Sequence, residues 1–455
     1  MNTSGGSRRA GRFEFGTDRI FRTAPVTAAR AQPVSTDPTE PSTSRSWSLT
    51  AWPRGYGVAM HTSAQRLAVA GRAAVPPFHV MDLLEAAAQR QRSHGDLLNL
   101  VVGQPSTPAP VPVRAAAKRA LDEDVLGYTV ALGIPELREA ICGHHKRMHG
   151  LDVSSEDVVV TTGSSGGFLL AFLAAFEAGH RVAIARPGYP CYRNVLTALG
   201  CEVVELPAGP ASRFHPTVDM LEALSEPVQG LVVASPANPT GTMLAPAELA
   251  ALATWCEEHG VQLTSDEIYH GIEYATPMLH SSAWETSREA VVFNSFSKYF
   301  SMTGWRIGWM LVPERLRRAV DVLTGNFTIC PPALAQHAAV AAFAPESYDE
   351  ANGHVARYAA NRDLLLAGLP RLGLDKLAPA DGAFYVYADV SHLTDGSMAT
   401  DSMALCRRLL AETGVATAPG VDFDTVAGDR FVRLSFAGST DEVAEALVRL
   451  EGWLA

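Results

Sequence analysis

Between residues 157 and 312 short apolar runs alternate with helical stretches, and this alternation limits the chain to very few architectures. The apolar runs fall at 157–161, 181–185, 202–206, 230–234, 262–266, 290–294 and 307–312, and helical stretches such as 166–178, 191–199 and 246–259 separate most of them. Short runs rich in apolar residues suit strands covered on both faces. Strands joined by helical crossovers predict a mostly parallel sheet in an α/β architecture. Upstream, Pro76-Pro77 precedes the helical spacing of FHVMDLLEAAAQRQ, and LNLVVGQP at 98–105 reads as a short strand. VPVRAAAKRALD and GIPELREAICGHHKRMHG follow as helices, the second with Pro135 in its first turn, where proline is tolerated. Past residue 335 the pattern shifts to long helices at 345–369, 400–413 and 439–453, with strand-like GAFYVYADV and DRFVRLSFA. That shift predicts a smaller α+β domain over 336–455, joined by an N-terminal arm and segment at 60–103, beside a large domain at 104–335.

Composition removes several function classes. With 455 residues, 47% hydrophobic and 19% charged, the chain can build a large core and is not a disordered or disulfide-stapled one. A net charge of −11 disfavours a general grip on nucleic acid or an anionic membrane. Six cysteines without a C-x-x-C pair fit a reducing compartment, hence a cytoplasmic protein, and no structural zinc. The longest apolar stretch, GGFLLAFLAAF at 166–176, is too short to span a bilayer. Residues 1–59 differ from the rest: rich in Ser, Thr and Pro, they carry eight Arg against four acids and no apolar period. They read as a disordered leader or as sequence upstream of a true start at Met60, with an organelle transit peptide as the alternative.

Lysine is scarce, found only at 118, 146, 298 and 376. Lys298 lies in SFSKYFSMTGWRIGW, just past the strand AVVFN, where α/β sheets place ligands. Ser295 and Ser297 precede it and Arg306 follows, a set suited to an aldehyde held as an imine with its phosphate gripped nearby. SPANPTG (235–241) and SDEIYHG (265–271) also follow strands; there Asn238 and Tyr269 can donate to a phenolate, and Asp266 can pair with a protonated pyridine nitrogen. Taken singly these have plainer readings: an ordinary turn, a helix cap, a half-buried aromatic. TTGSSGGF (161–168) opens a helix with small residues that let backbone N–H groups approach an anion, and it lacks the form of a nucleotide P-loop.

The ordered series GYTVALGIPELREAI, TTGSSGGF, RPGYPCY, SPANPTG, SDEIYHG, SFSKYFSMTGWRIGW and FVRLSFA resembles the class I/II, fold-type I aminotransferases that use pyridoxal 5′-phosphate, over about residues 70–455. The resemblance implies the fold-type I architecture, with a seven-stranded sheet in a cofactor-binding large domain. It implies Lys298 as the Schiff-base lysine and proton carrier, Asp266 against the pyridine nitrogen, and Tyr269 and Asn238 at the cofactor's 3-oxygen. Tyr189 would stack on the ring; Ser164, Ser165, Ser295 and Arg306 would hold the phosphate. Tyr128 matches a tyrosine that reaches the neighbouring subunit's phosphate, which implies a homodimer with shared sites. Arg433 matches the arginine that binds the substrate α-carboxylate. Asn99 and Gly103 match the entrance segment beside the substrate, although VVGQPSTP carries Gln104 and Ser106 where a common version has two acids.

The implied reaction moves the amino group of an α-amino acid to a 2-oxo acid in two half-reactions. Alternatives on the same scaffold are a β-eliminating lyase and, more remotely, a cofactor-sensing regulatory protein. The donor is not named by these residues. His145 and His149, one helical turn apart, lack an H-E-x-x-H glutamate or an evident third ligand, so a solvated helix face is expected there and no metal site.

Overall fold

Hydrogen bonding in the computed structural model, which describes residues 69–276 and 279–455, collects the strands into three sheets. In chain order the strands are β1 (Leu98–Asn99), β2 (Val158–Thr161), β3 (Arg181–Arg186), β4 (Glu202–Pro207), β5 (Gly230–Ala234) and β6 (Gln262–Asp266). They continue with β7 (Val291–Ser295), β8 (Gly308–Leu311), β9 (Tyr385–Asp389), β10 (Val415–Ala416), β11 (Ala418–Pro419) and β12 (Phe431–Ser435). The central sheet has seven strands in the order β2-β8-β7-β6-β5-β3-β4, parallel except for β8, which runs antiparallel to both neighbours. This is the expected mostly parallel α/β sheet. The expectations for the leader at 1–59 lie outside the described residues.

Burial explains the apolar runs. Every residue of β2, β6, β7 and β8 is buried, because helices cover the sheet, while β4 is largely half-exposed at its edge. The helix Gly163–Ala175 is apolar nearly all round and lies against β7; a Cβ on Gly167 would press on the Phe293 ring. It begins three residues before the expected 166, because TTGSSGGF itself winds into the first turn. The helices Glu314–Phe327 and Ala333–Val340 were not anticipated.

The C-terminal part forms an antiparallel sheet, β11-β12-β9, in which Arg433 pairs with Tyr387 and Ala418. LNLVVGQP contributes only β1, which pairs in parallel with β10 through Leu98 and Val415. The helix His79–His94 is held at its start by a carboxylate far away in sequence: Asp422 accepts the His79 N–H at 2.9 Å and the Val80 N–H at 2.8 Å. Among the described residues no helix is long and apolar enough to cross a membrane.

The solvated face expected at His145 and His149 is corrected. The helix Pro135–His149 buries His144 and His145 against β8, where the Trp309 indole N–H donates to His145 Nε2 at 3.0 Å. The His149 side chain is only 2% exposed.

Candidate active site

The C-terminal ends of β5, β6 and β7 face the start of the helix Gly163–Ala175, and together they enclose a cavity of about 560 Å³. Lys298, Asp266, Tyr269 and Asn238 line its centre; Ser164, Ser165 and Arg306 line one end; Gly103, Tyr189 and Arg433 complete the wall. Carboxyl ends of parallel strands, next to a helix N-terminus, are where this architecture gathers donors. Another cavity, of about 570 Å³, opens at the other end of the sheet beside Gln262 and Arg315, but Arg315 is already paired with Glu289 at 2.9 Å.

Lys298 follows β7 and its Nζ donates to the Gly103 carbonyl at 2.7 Å. Burial, together with the Arg433 and Arg306 charges, pulls its ammonium down to about 8, and Asp266 opposes the shift. Asp266 ends β6. Burial pushes its carboxyl up to about 6, while the Tyr192 hydroxyl and the Ile268 N–H, at 3.2 Å, donate to it and hold the shift in check. The Tyr269 hydroxyl meets that of Tyr385 at 2.7 Å, and desolvation holds the Tyr269 phenol well above its ordinary range.

Arg433, on β12, is 2% exposed and has no carboxylate partner among the described residues. It donates to Asn238 Oδ1 at 2.8 Å and to the Val101 carbonyl at 2.6 Å, with its Nε unpartnered. Its guanidinium lies over the Tyr385 and Phe423 rings, 4.4 and 4.7 Å from their centroids. The bond to Asn238 Oδ1 leaves the amide N–H₂ to face the cavity. A buried cation satisfied only by neutral carbonyls and rings is a prepared anion site.

At the opposite end Gly163 (φ 68°) starts the helix in a left-handed conformation, and a Cβ there would overlap the Arg306 guanidinium. Arg306 is itself left-handed (φ 52°) and donates to the Thr303 carbonyl at 2.8 Å. Close approach of a guanidinium to a helix N-terminus lined by Ser164 and Ser165 suits a phosphate dianion. Gly103 is required on the far side, since a Cβ would collide with the Tyr385 hydroxyl.

Two of the sequence candidates lie apart. Ser295 is buried just beneath the cavity, where its Oγ accepts the Ser297 N–H at 3.0 Å, and it is Ser297 that lines the wall. Tyr128 is 83% exposed and borders a separate surface depression with Thr162 and Pro331. Two contributors were missed. Tyr192 stands three residues after Tyr189 on the first turn of the helix Pro190–Leu199, a spacing that puts both on one face. Tyr385, in β9, belongs to GAFYVYADV, noticed only as a strand.

Cation, acid, phenol and anion cradle at these positions define a site for a phosphorylated aromatic aldehyde facing a carboxylate-bearing substrate. Residues 95–450 match the family model described as aminotransferase class I and II. A valine–pyruvate aminotransferase of Mycobacterium tuberculosis is 64% identical over 386 residues, covering 85% of this chain and 98% of that protein. An aspartate/prephenate aminotransferase of Thermus thermophilus is 36% identical over 380 residues, covering 83% and 96%. The crystal structure of an aminotransferase from Mycobacterium tuberculosis superposes with a TM-score of 0.83 at 64% identity, covering 85% of this chain and 99% of that one. The chain belongs to the class I and II aminotransferases. It is a pyridoxal 5′-phosphate-dependent enzyme of fold type I that transfers amino groups from amino acids to 2-oxo acids.

Proposed function

We propose that the enzyme moves the amino group of an aliphatic amino acid, valine in the first place, to pyruvate, using Lys298 as the cofactor's anchor and proton carrier. The observation that carries this reading is the pairing of a buried lysine with a buried arginine that has no carboxylate partner among the described residues, across one cavity whose wall includes the apolar stretch Phe78, Val80, Met81, Leu84 and Val102. When bound, the cofactor supplies an aldehyde for the amine and a ring that accepts the electron pair left by the α-proton.

Lys298, held at about 8 by burial and its cationic neighbours, reaches the neutral amine form near working pH and can take up and return a proton at Nζ. Asp266 stays ionised above about 6, with Tyr192 fixing its orientation, and would hold a proton on the cofactor's ring nitrogen. Asn238 and Tyr269 would donate to the cofactor's 3-oxygen, Tyr189 would cover its ring, and Ser164, Ser165 and Arg306 would hold its phosphate, with Ser295 supporting the Ser297 backbone beneath the cavity. Arg433 takes the substrate α-carboxylate in a bidentate pair, which sets the direction of the Cα–H bond. Gly103 leaves room for that group beside Tyr385.

Phe78, Val80, Leu84 and Val102 form the wall near the entrance. Among the described residues Arg306 and Arg433 are the guanidinium groups of the lining, and with both assigned a side-chain carboxylate would find no further one there. The valine–pyruvate relative supports the same donor class. Steady-state profiling of amino donors with pyruvate tests this: valine is expected to exceed aspartate in kcat/KM by on the order of 100-fold, reflecting the cost of an unpaired buried carboxylate. A preference for aspartate would overturn the donor assignment.

A homodimer is the proposed assembly. Val125, Tyr128, Val130, Phe327 and Ile329 stand exposed, and apolar exposure of this kind suits a twofold interface that carries Tyr128 to the partner's phosphate site. Six unpaired cysteines support a reducing, cytoplasmic setting. The large domain at 104–335 and the small one at 336–455, with the described part of 60–103, remain the proposed division of the chain.

A further inference from the structure

SDEIYHG has two faces. Asp266 and Tyr269 turn toward the cofactor cavity, while Glu267 and His270 turn away from it into a buried cluster with His149 and His280. His149 ends the helix Pro135–His149, and His280 lies in the segment that returns toward β7. The three imidazoles each present a ligand atom, and these atoms all lie within 4.8 Å of one another. The His149 and His280 rings stack with centroids 4.2 Å apart.

The polar atoms of this cluster are left open. His149 Nδ1, His270 Nδ1, His280 Nε2 and Glu267 Oε2 are buried and have no hydrogen-bond partner among the described residues. Their side chains are 2%, 4%, 16% and 1% exposed, so bulk water does not satisfy them. His149 Nδ1 stands 3.5 Å from Glu285 Oε1 and His270 Nδ1 3.5 Å from Glu267 Oε2, neither making a hydrogen bond, and buried polar atoms are nearly always paired.

We propose that His149, His270, His280 and Glu267 form a structural site for a divalent transition-metal ion, with zinc as the matching chemistry. Three imidazoles and a carboxylate make a closed four-ligand set without an open position, which is the structural rather than the catalytic pattern. His280 is already arranged as a ligand: its Nδ1 meets Glu273 Oε1 at 2.7 Å, which directs Nε2 into the cluster. Glu267 is fixed from behind, its Oε1 accepting from the Ser265 hydroxyl and the Ala283 N–H, both at 2.9 Å, so that Oε2 stands 3.5 Å from His270 Nδ1.

Bonds of about 2.0–2.1 Å place tetrahedral ligands roughly 3.3 Å apart, so on an ion the ligand atoms draw in and the stacked His149 and His280 rings turn out of parallel. Such an ion would tie the segment after β6 to the helix behind it, and would hold Asp266 and Tyr269 from the rear. The ligands come from three separated stretches of chain, which is why helical spacing at 145 and 149 pointed to no site.

The test uses the cofactor-loaded enzyme, dialysed against a weak chelator and assayed for bound metal by mass spectrometry. About one zinc ion per chain is expected, and one equivalent of added Co²⁺ should give tetrahedral ligand-field absorption at longer wavelength than the cofactor band. His280→Gln, a change in a connecting segment that leaves the helix and sheet intact, should lose both signals and abolish the drop in Tm that a strong chelator causes in the wild type. Wild-type protein that retains no metal and gives no cobalt band would overturn the proposal, as would His280→Gln protein that binds as much metal as the wild type.

Discussion

At Lys298, burial does chemical work that sequence position alone would not. An ammonium near its ordinary value is almost wholly charged at pH 7, whereas one held at about 8 is roughly 10% neutral, a gain of about 300-fold in free amine. The apoenzyme should therefore capture pyridoxal phosphate faster as pH rises through about 8 and level off above it, a profile readable by stopped-flow absorbance. A rate still climbing at pH 10 would show that the cavity does not depress this amine. Lys298, Asp266, Tyr269, Asn238 and Arg306 could be picked out in the sequence because they lie at or past strand ends in motifs of specific order, and Arg433 because FVRLSFA completes that order. Tyr192 and Tyr385 could not, since an aromatic on a helix or strand is ordinarily core, and only the fold turns these two toward Asp266 and Tyr269.

Among the elements, the helix His79–His94 is the most dependent on a distant residue. It has no capping side chain of its own, and both Asp422 oxygens serve its first turn. Asp422→Ala should destabilise the protein by about 2 kcal/mol, in line with the loss of a cap and its buried N–H partners, and lower Tm accordingly. Because this helix carries Val80 and Leu84 into the cavity wall, KM for aliphatic donors should rise in the same variant. An unchanged Tm would mean the helix is held by apolar packing alone. The strands of the central sheet were readable to within a residue or two because most of them are buried runs rich in apolar residues. The pairs β1–β10 and β11–β12 were not, being two-residue ladders set by tertiary contact rather than by pattern. The buried histidines of the helix Pro135–His149 misled for a related reason: histidine periodicity does not reveal which face meets Trp309.

At the level of the whole molecule, the proposed shared site can be tested by mixing protomers. Tyr128→Phe weakens cofactor binding in its own homodimer if the hydroxyl reaches a phosphate, and Lys298→Ala removes the anchoring amine. In a mixed dimer the Tyr128→Phe chain keeps Lys298 and receives an intact Tyr128 from its partner. Wild-type cofactor affinity should reappear at that site on mixing. No recovery would place Tyr128 in its own chain's site or outside the site.

The most direct measurement is borohydride reduction of the cofactor-loaded enzyme followed by peptide mapping. With only four lysines in the chain, the outcome is unambiguous. The phosphopyridoxyl group is expected on Lys298 alone, with loss of both label and visible absorbance in Lys298→Ala. Label on Lys118, Lys146 or Lys376, or an unlabelled protein that still turns over, would contradict the account.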